Sequence, residues 1–335
     1  ELKQWAEDGL YKVEVKLTPD GTLFRNNYDV KSFTYYGGQF TTAVTGRQVV
    51  VTFYKNVTRE NWCSAFNDLK GYYRLMEDID YQAFSDVEKE KAASVLAENN
   101  QAFNGCLDGA GHCLKNFEFK RYPYLIWNLS EGVVRDLRVD HMTIDGLRST
   151  NNYCGLIGQC NNNARIEGVT ITDAAVVGIR QQYCGTLAGY SGSSRIQDCV
   201  VAGTVMQSCI HGKNMEIGGL VGRTTSSRVQ NCFVRKLEMS VKEGTSLAGA
   251  GGAVGRIYSG SVVENIYAQG SIESSFANVG GLTGNLNGRV TAGWSKVNIN
   301  SAAAYVGGIV GFLESGNQAT CTLAVGEVYT RATDH

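Results

Sequence analysis

From residue 125 onward the apolar positions never keep a helical rhythm for the length of a helix. Short runs of alternating or β-branched residues come instead, separated by Gly, Ser and Asn, which is the pattern of strands and turns. The runs recur. "CGLIG" ends at Gly158, "GTLAG" at Gly189, "GGLVG" at Gly222, "GGAVG" at Gly255, "GGLTG" at Gly284 and "GGIVG" at Gly311, at intervals of 31, 33, 33, 29 and 27 residues. A second phrase follows at a nearly fixed distance: "RIEGVTI" from Arg165, "RIQDCVVAGTV" from Arg195, "RVQNCFV" from Arg228, "VVENIYAQGSI" from Val262 and "RVTAGWSKVNI" from Arg289. "VVRDLRV" at Val133 is an earlier copy and "QATCTLAVGEV" from Gln318 a later, looser one.

The period excludes several arrays. Ankyrin and tetratricopeptide repeats need amphipathic helices, and a WD blade needs about forty residues and four strands. What remains is an all-β fold, a parallel β-helix with three strands per coil and one coil per repeat. It should be right-handed, because crossovers between parallel strands nearly always are. Equivalent residues then stack about 4.8 Å apart. Glycine fits this geometry because it allows tight corners and close approach of backbone layers. The second phrase predicts an inward ladder of Val134, Ile166, Ile196, Val229, Val263 and Val290. Three residues on lies another, of Leu137, Val169, Cys199, Cys232 and Ile266. Strict alternation cannot turn both inward, so a corner or bulge must lie between them.

The front of the chain reads differently. "YKVEVKLTPDGTLF" and "RQVVVTFYKNV" predict strands of a small β-rich module over residues 1–56. A cap and first coil are expected over 57–124, with a capping helix over 85–99. Ser85 would be its N-cap and Glu88 would complete a capping box. Repeats fill 125–335, and "GEVYTRATDH" leaves the last one unfinished, so further coils are expected.

Composition narrows the function classes. The 335 residues include 40 Gly and only 2 Pro without a Gly-X-Y period, and 43% are hydrophobic, which excludes collagen and disorder. A net charge of -1 gives no electrostatic case for nucleic acid or an anionic membrane. No apolar run of about 18 residues predicts membrane insertion. Glu1 is not a natural start, which is compatible with a removed signal. Ten cysteines could include bridges such as Cys106 to Cys113 or Cys154 to Cys160. Their places among aliphatic equivalents favour buried free thiols.

"YYRLMEDIDY" from Tyr72, "FNGCLDGAGHCLKNFEF" from Phe103 and the "GGLVG" series together resemble the GLUG-motif repeat proteins of bacterial surfaces. The likeness extends to the non-catalytic regions of IgA-specific zinc metallopeptidases and implies a β-solenoid over residues 70–330. Two departures stand out: a helical insertion between the opening motifs, and "YLIWNLSEG" at Tyr124 where the first GLUG glycines would fall. The first coil should be irregular there.

Little chemistry is legible. The four histidines, His112, His141, His211 and His335, form no HExxH motif, so no peptidase centre is present. The resemblance makes His112 structural. "GAGGAVG" at Gly249 has the wrong spacing for a dinucleotide loop, and no GxSxG or Walker motif occurs. Asp136 and Asp198 share a repeat position with Gly168 and Asn231, which suggests a corner hydrogen-bond ladder rather than an acid–base pair. Arg165, Arg195 and Arg228 share one outward position in successive coils, with Arg289 beyond. Such a column could hold an acidic glycan by bidentate contacts. It could equally be a solvated face neutralised by Glu167 and Glu264.

The expectation is a non-enzymatic, extracellular or cell-surface structural and adhesion region of a larger bacterial protein. It would be monomeric, without catalytic residues, metal or cofactor, and its partner would be a host glycan or protein. Two rivals stand beside it. A β-helix glycan-degrading enzyme would show carboxylates converging in a groove. A glycan- or protein-binding module would show an exposed aromatic cluster or an unneutralised Arg column.

Overall fold

The structure, a computed structural model, describes residues 2–7, 10–15, 38–44, 47–98, 101–208, 215–241, 249–275 and 278–330. His211 and His335 lie outside them. The chain forms a parallel β-solenoid of about eight turns. At the front, two antiparallel hairpins pair Leu2–Glu7 with Leu10–Val15 and Gly38–Val44 with Arg47–Phe53. No helix among the described residues is long and apolar enough to cross a membrane.

Each coil has three faces. One stacks short strands such as Tyr183–Gly185 and Glu216–Gly218, and a second stacks Ala188–Gly192 and Val221–Thr225. The third, longest face carries the second phrase, and in the middle coils it is broken into three pieces, for example Arg165–Glu167, Thr170–Thr172 and Ala175–Ile179. Both expected ladders point inward: Val134, Ile166, Ile196, Val229, Val263 and Val290 stack in register, and all are buried. Leu137, Val169, Cys199, Cys232 and Ile266 are buried beside them.

The device that turns both ladders inward is a left-handed residue every five positions. In one coil these are Asn163, Gly168, Asp173 and Gly178, each with φ between 50° and 64°. After each of these the first residue points inward, as do Ala164, Val169, Ala174 and Ile179. The third residue also points inward, as do Ile166, Ile171 and Val176. Asn, Asp and Gly tolerate this conformation best, which is why they occupy the corners.

The motif glycines serve a different need. Their backbone is not left-handed at Gly222, Gly255 or Gly284; they sit where the two shorter faces fold tightly against each other. A Cβ on Gly255 would lie 2.5 Å from the Ile217 nitrogen and 2.6 Å from the Gly222 oxygen. Backbone rests on backbone there, and no side chain fits.

At the first turn the rungs run from Lys55–Val57 to Tyr72–Leu75, Cys106–Asp108 and Val133–Arg135. The helix spans Asp86–Ala92, shorter than the expected 85–99. Its capping box is present, the Glu88 carboxylate accepting from the Ser85 N–H at 3.0 Å and hydroxyl at 2.7 Å. Two features end it early. The Ser94 hydroxyl donates back to the Glu90 carbonyl at 2.9 Å, competing with the helix ladder. Leu96 is then taken as a rung beside Ile126, so strand pairing overrides helix propensity. A second short helix, Trp62–Ala65, had no clear signal. Its Trp62 is fully buried in the core cluster and donates from Nε1 to the Ala92 carbonyl at 2.9 Å.

Candidate binding face

The five-residue step decides what the long face shows to solvent. The expected arginine column forms: Arg165, Arg195 and Arg228 are paired in register and all exposed. Two of the three have acidic neighbours. Arg165 lies 3.5 Å from Glu167 and Arg228 lies 3.9 Å from Glu264, with both guanidinium side chains about half exposed. Arg195 has no ion pair among the described residues. Exposed pairs of this length hold their partners weakly.

Five residues beyond each arginine position runs a column that the sequence reading missed. Val200, Phe233, Tyr267, Trp294 and Leu323 stack outward across five successive coils. Trp294 is 60% exposed and Leu323 56%. Aligning the second phrase at a fixed offset of five would have revealed it. Polar columns flank the rings. On one side stand Gln230, Glu264 and Thr291, and beyond them Arg228 and Arg289. On the other stand Arg235, Gln269 and Lys296, with the Arg235 guanidinium 5.6 Å from the Phe233 ring. Cations outnumber acids around the rings.

The corner between these columns is structural. Asp136, Asp198, Asn231 and Asn265 all have φ between 48° and 57°. Asn231 donates from Nδ2 to Asp198 Oδ1 at 3.0 Å, and Asn265 in turn to Asn231 Oδ1 at 2.9 Å. Asp198 is therefore a rung of an amide ladder, while Asp136, stacked beside Gly168, shares only the corner conformation.

Two ion clusters are also spent on the fold. Asp108 is buried, and its carboxylate accepts from Arg74 and Arg135, both at 2.9 Å, and from the Ala110 N–H. Burial alone would raise its pKa, but the guanidinium hydrogen bonds outweigh it and hold the carboxyl below its usual range. Glu216, also buried, takes a two-pronged contact from Arg223, whose guanidinium lies 4.6 Å from the Tyr183 ring. Tyr153, Tyr183 and Tyr190 pack on one another at ring separations of 5.6–6.3 Å, so these aromatics brace the corner between the shorter faces.

His112 stands 3.5 Å from Asp78, beside Lys115. Asp140, His141 and Asp173 bring potential metal-ligating atoms within 4.8 Å of one another. His141 and Asp173 occupy consecutive left-handed corners, and Asp140 already accepts from the Thr172 hydroxyl, which lowers its pKa. A cleft beside the capping helix holds Glu90 and Glu118. Each is committed to a cation, Glu90 to Arg121 at 2.8 Å and Glu118 to Lys120.

All nine described cysteines are free, as their places among aliphatic positions favour, and neither Cys106–Cys113 nor Cys154–Cys160 is bridged. Cys199 and Cys232 are fully buried in adjacent coils; the neighbouring thiol and burial both hold Cys199 protonated.

No protein-family model and no curated protein matches the chain. Among solved structures it resembles a "putative immunoglobulin A1 protease" from Bacteroides ovatus, with a TM-score of 0.51 and 18% identity, over 76% of this chain and 81% of that one. A structure named IgA1 Protease aligns with 97% of this chain at 16% identity and a TM-score of 0.48, and this chain spans 28% of its length. At these identities the likeness is one of fold.

Proposed function

We propose that this chain is a non-enzymatic, extracellular structural and adhesion region of a larger bacterial surface protein, of the GLUG-repeat kind, and that its long face holds an acidic glycan. The observation that carries this reading is the outward column of Phe233, Tyr267 and Trp294 with cations on both flanks. Sugar rings offer apolar C–H faces to such side chains while their hydroxyl and acid groups meet Gln, Arg and Lys. The spacing of about 4.8 Å per coil lets a linear glycan repeat its contacts along the solenoid axis. The fold is shared with a Bacteroides ovatus chain named as a "putative immunoglobulin A1 protease".

A glycan array carrying uronate-rich and neutral chains tests this. The purified protein should retain acidic glycans, and binding should weaken as salt rises, since exposed charges are screened beyond about 8 Å at physiological ionic strength. Replacing Phe233, Tyr267 and Trp294 together by Ser should abolish binding. Replacing Arg165, Arg195 and Arg228 by Ser should weaken it and flatten the salt dependence. Release of reducing ends from the bound glycan would overturn the reading in favour of a glycan-degrading enzyme. Unchanged binding in the aromatic variant would remove the long face from it.

A further inference from the structure

The first coil carries a cleft that the long face does not use. It measures about 440 Å³. Tyr81, Glu118, the segment from Lys120 to Tyr122 and the helix residue Glu90 wall it, with Arg148 from the next coil. Three cations, Lys120, Arg121 and Arg148, face two acids, Glu90 and Glu118. Both acids are already matched, and the pairs that match them are half exposed and open to exchange. Arg148 has no acidic partner among the described residues, and the Tyr81 hydroxyl has no hydrogen-bond partner among them. The cleft therefore carries one unneutralised guanidinium, the unused hydroxyl of a buried tyrosine and one aromatic wall, Tyr122.

We infer that this cleft is a second binding site, for a saccharide unit that bears a carboxylate. The charge calls for an anion, and a planar guanidinium matches a carboxylate with two parallel hydrogen bonds. The size calls for more than the anion. Ligand sites of about 300–1,000 Å³ enclose organic molecules, whereas acetate or phosphate would leave most of this space unfilled. Tyr122 provides ring surface for the C–H face of a pyranose, and Arg121, 5.3 Å from that ring, fixes that wall, while Tyr81 is buried against Phe117 and closes the floor. The inference does not depend on the long face binding anything.

Isothermal titration of the whole chain with glucuronic acid, N-acetylneuraminic acid, glucose and sodium acetate tests it. At least one acidic sugar should bind, with glucose and acetate at least about tenfold weaker. Arg148→Ala should lower the affinity for that sugar about tenfold, a loss of one charge-assisted contact. Arg148 is exposed, so circular dichroism should stay unchanged. The variant with Ser at positions 233, 267 and 294 should bind the sugar as the unmodified chain does. Four outcomes overturn the inference: neither acid binds, acetate binds as tightly as the sugar, Arg148→Ala changes nothing, or the long-face variant loses the sugar.

Discussion

Replacing Gly255 by Ala adds one methyl group where the two shorter faces touch. That methyl would lie 2.5 Å from the Ile217 nitrogen, 2.6 Å from the Gly222 oxygen and 2.7 Å from the Glu216 carbonyl carbon, against 3.4 Å for ordinary contact. The shortfall is about 0.8 Å on three sides. Every neighbour is backbone, so no side chain can rotate aside. The faces must part, and Ile217 and Val254, both 1% exposed, lose packing as they do. Overpacking of a tight interior costs about 1–3 kcal/mol, and here the strain is shared with rungs on either side, so the upper end, about 3 kcal/mol, is expected. Gly111→Ala is the comparator: its φ is +80° and nothing lies within 4 Å, so it carries left-handed strain alone, about 1–2 kcal/mol. Urea unfolding followed by far-ultraviolet circular dichroism ranks the two. A midpoint for Gly255→Ala no lower than that for Gly111→Ala would refute the close-approach account of the repeated glycines.

At the corner ladder, Asn231→Gly should be nearly neutral in the same assay, whereas Asn231→Val should cost about 2 kcal/mol or more, since a β-branched side chain resists φ of 54°. Free-thiol titration without reductant should find Cys199 and Cys232 unreactive in the native chain and both reactive in denaturant; a mapped peptide joining them would contradict this. Burial pushes the Cys106 thiol up to about 11, so it too should resist alkylation at pH 8 until the chain unfolds. Asp108 has a depressed pKa in the folded chain, so its stabilising share is present above the unfolded value of about 3.9 and is lost as pH falls through the folded value. Asp108→Asn should remove that acid-side loss and cost about 1–2 kcal/mol at neutral pH, because Arg74 and Arg135 lose their carboxylate but are more than a third exposed to water; a pH series of urea midpoints reads both effects.

The architecture was readable because a solenoid writes the same instruction many times. One inward valine means little, but Val134 to Val290 at a fixed register can satisfy few geometries. The five-residue step was less visible because each corner accepts Asn, Asp or Gly and sometimes Ser, Ala or Lys, so no single letter marks it. The helix end was misjudged because "AASVLAENN" is good helix sequence until Leu96 is claimed by Ile126, a partner thirty residues away. The glycines were correctly tied to close approach, but which backbone atoms they meet is a tertiary fact. The arginine column was found because Arg recurs as a letter. The aromatic column was not, because Val, Phe, Tyr, Trp and Leu share shape and not identity.

That difference bears on where function lies in this chain. The inward ladders, the corner amides and the motif glycines are all demanded by coil stacking, and any chain with this fold must supply something like them. The outward position five residues past the arginine carries no such demand. Thr170 fills it in an early coil without disturbing the register. Polar residues would be soluble there and would guard the face against association, yet the next five coils carry Val, Phe, Tyr, Trp and Leu. Single exposed apolar residues are ordinary on a protein surface, but a contiguous line of them, rimmed by Arg, Lys, Gln and Glu, is the form that binding surfaces take. The stacking of coils explains why the line is straight, but not why it is apolar. The proposed glycan, lying along the axis and offering apolar faces at the same repeat, would account for both.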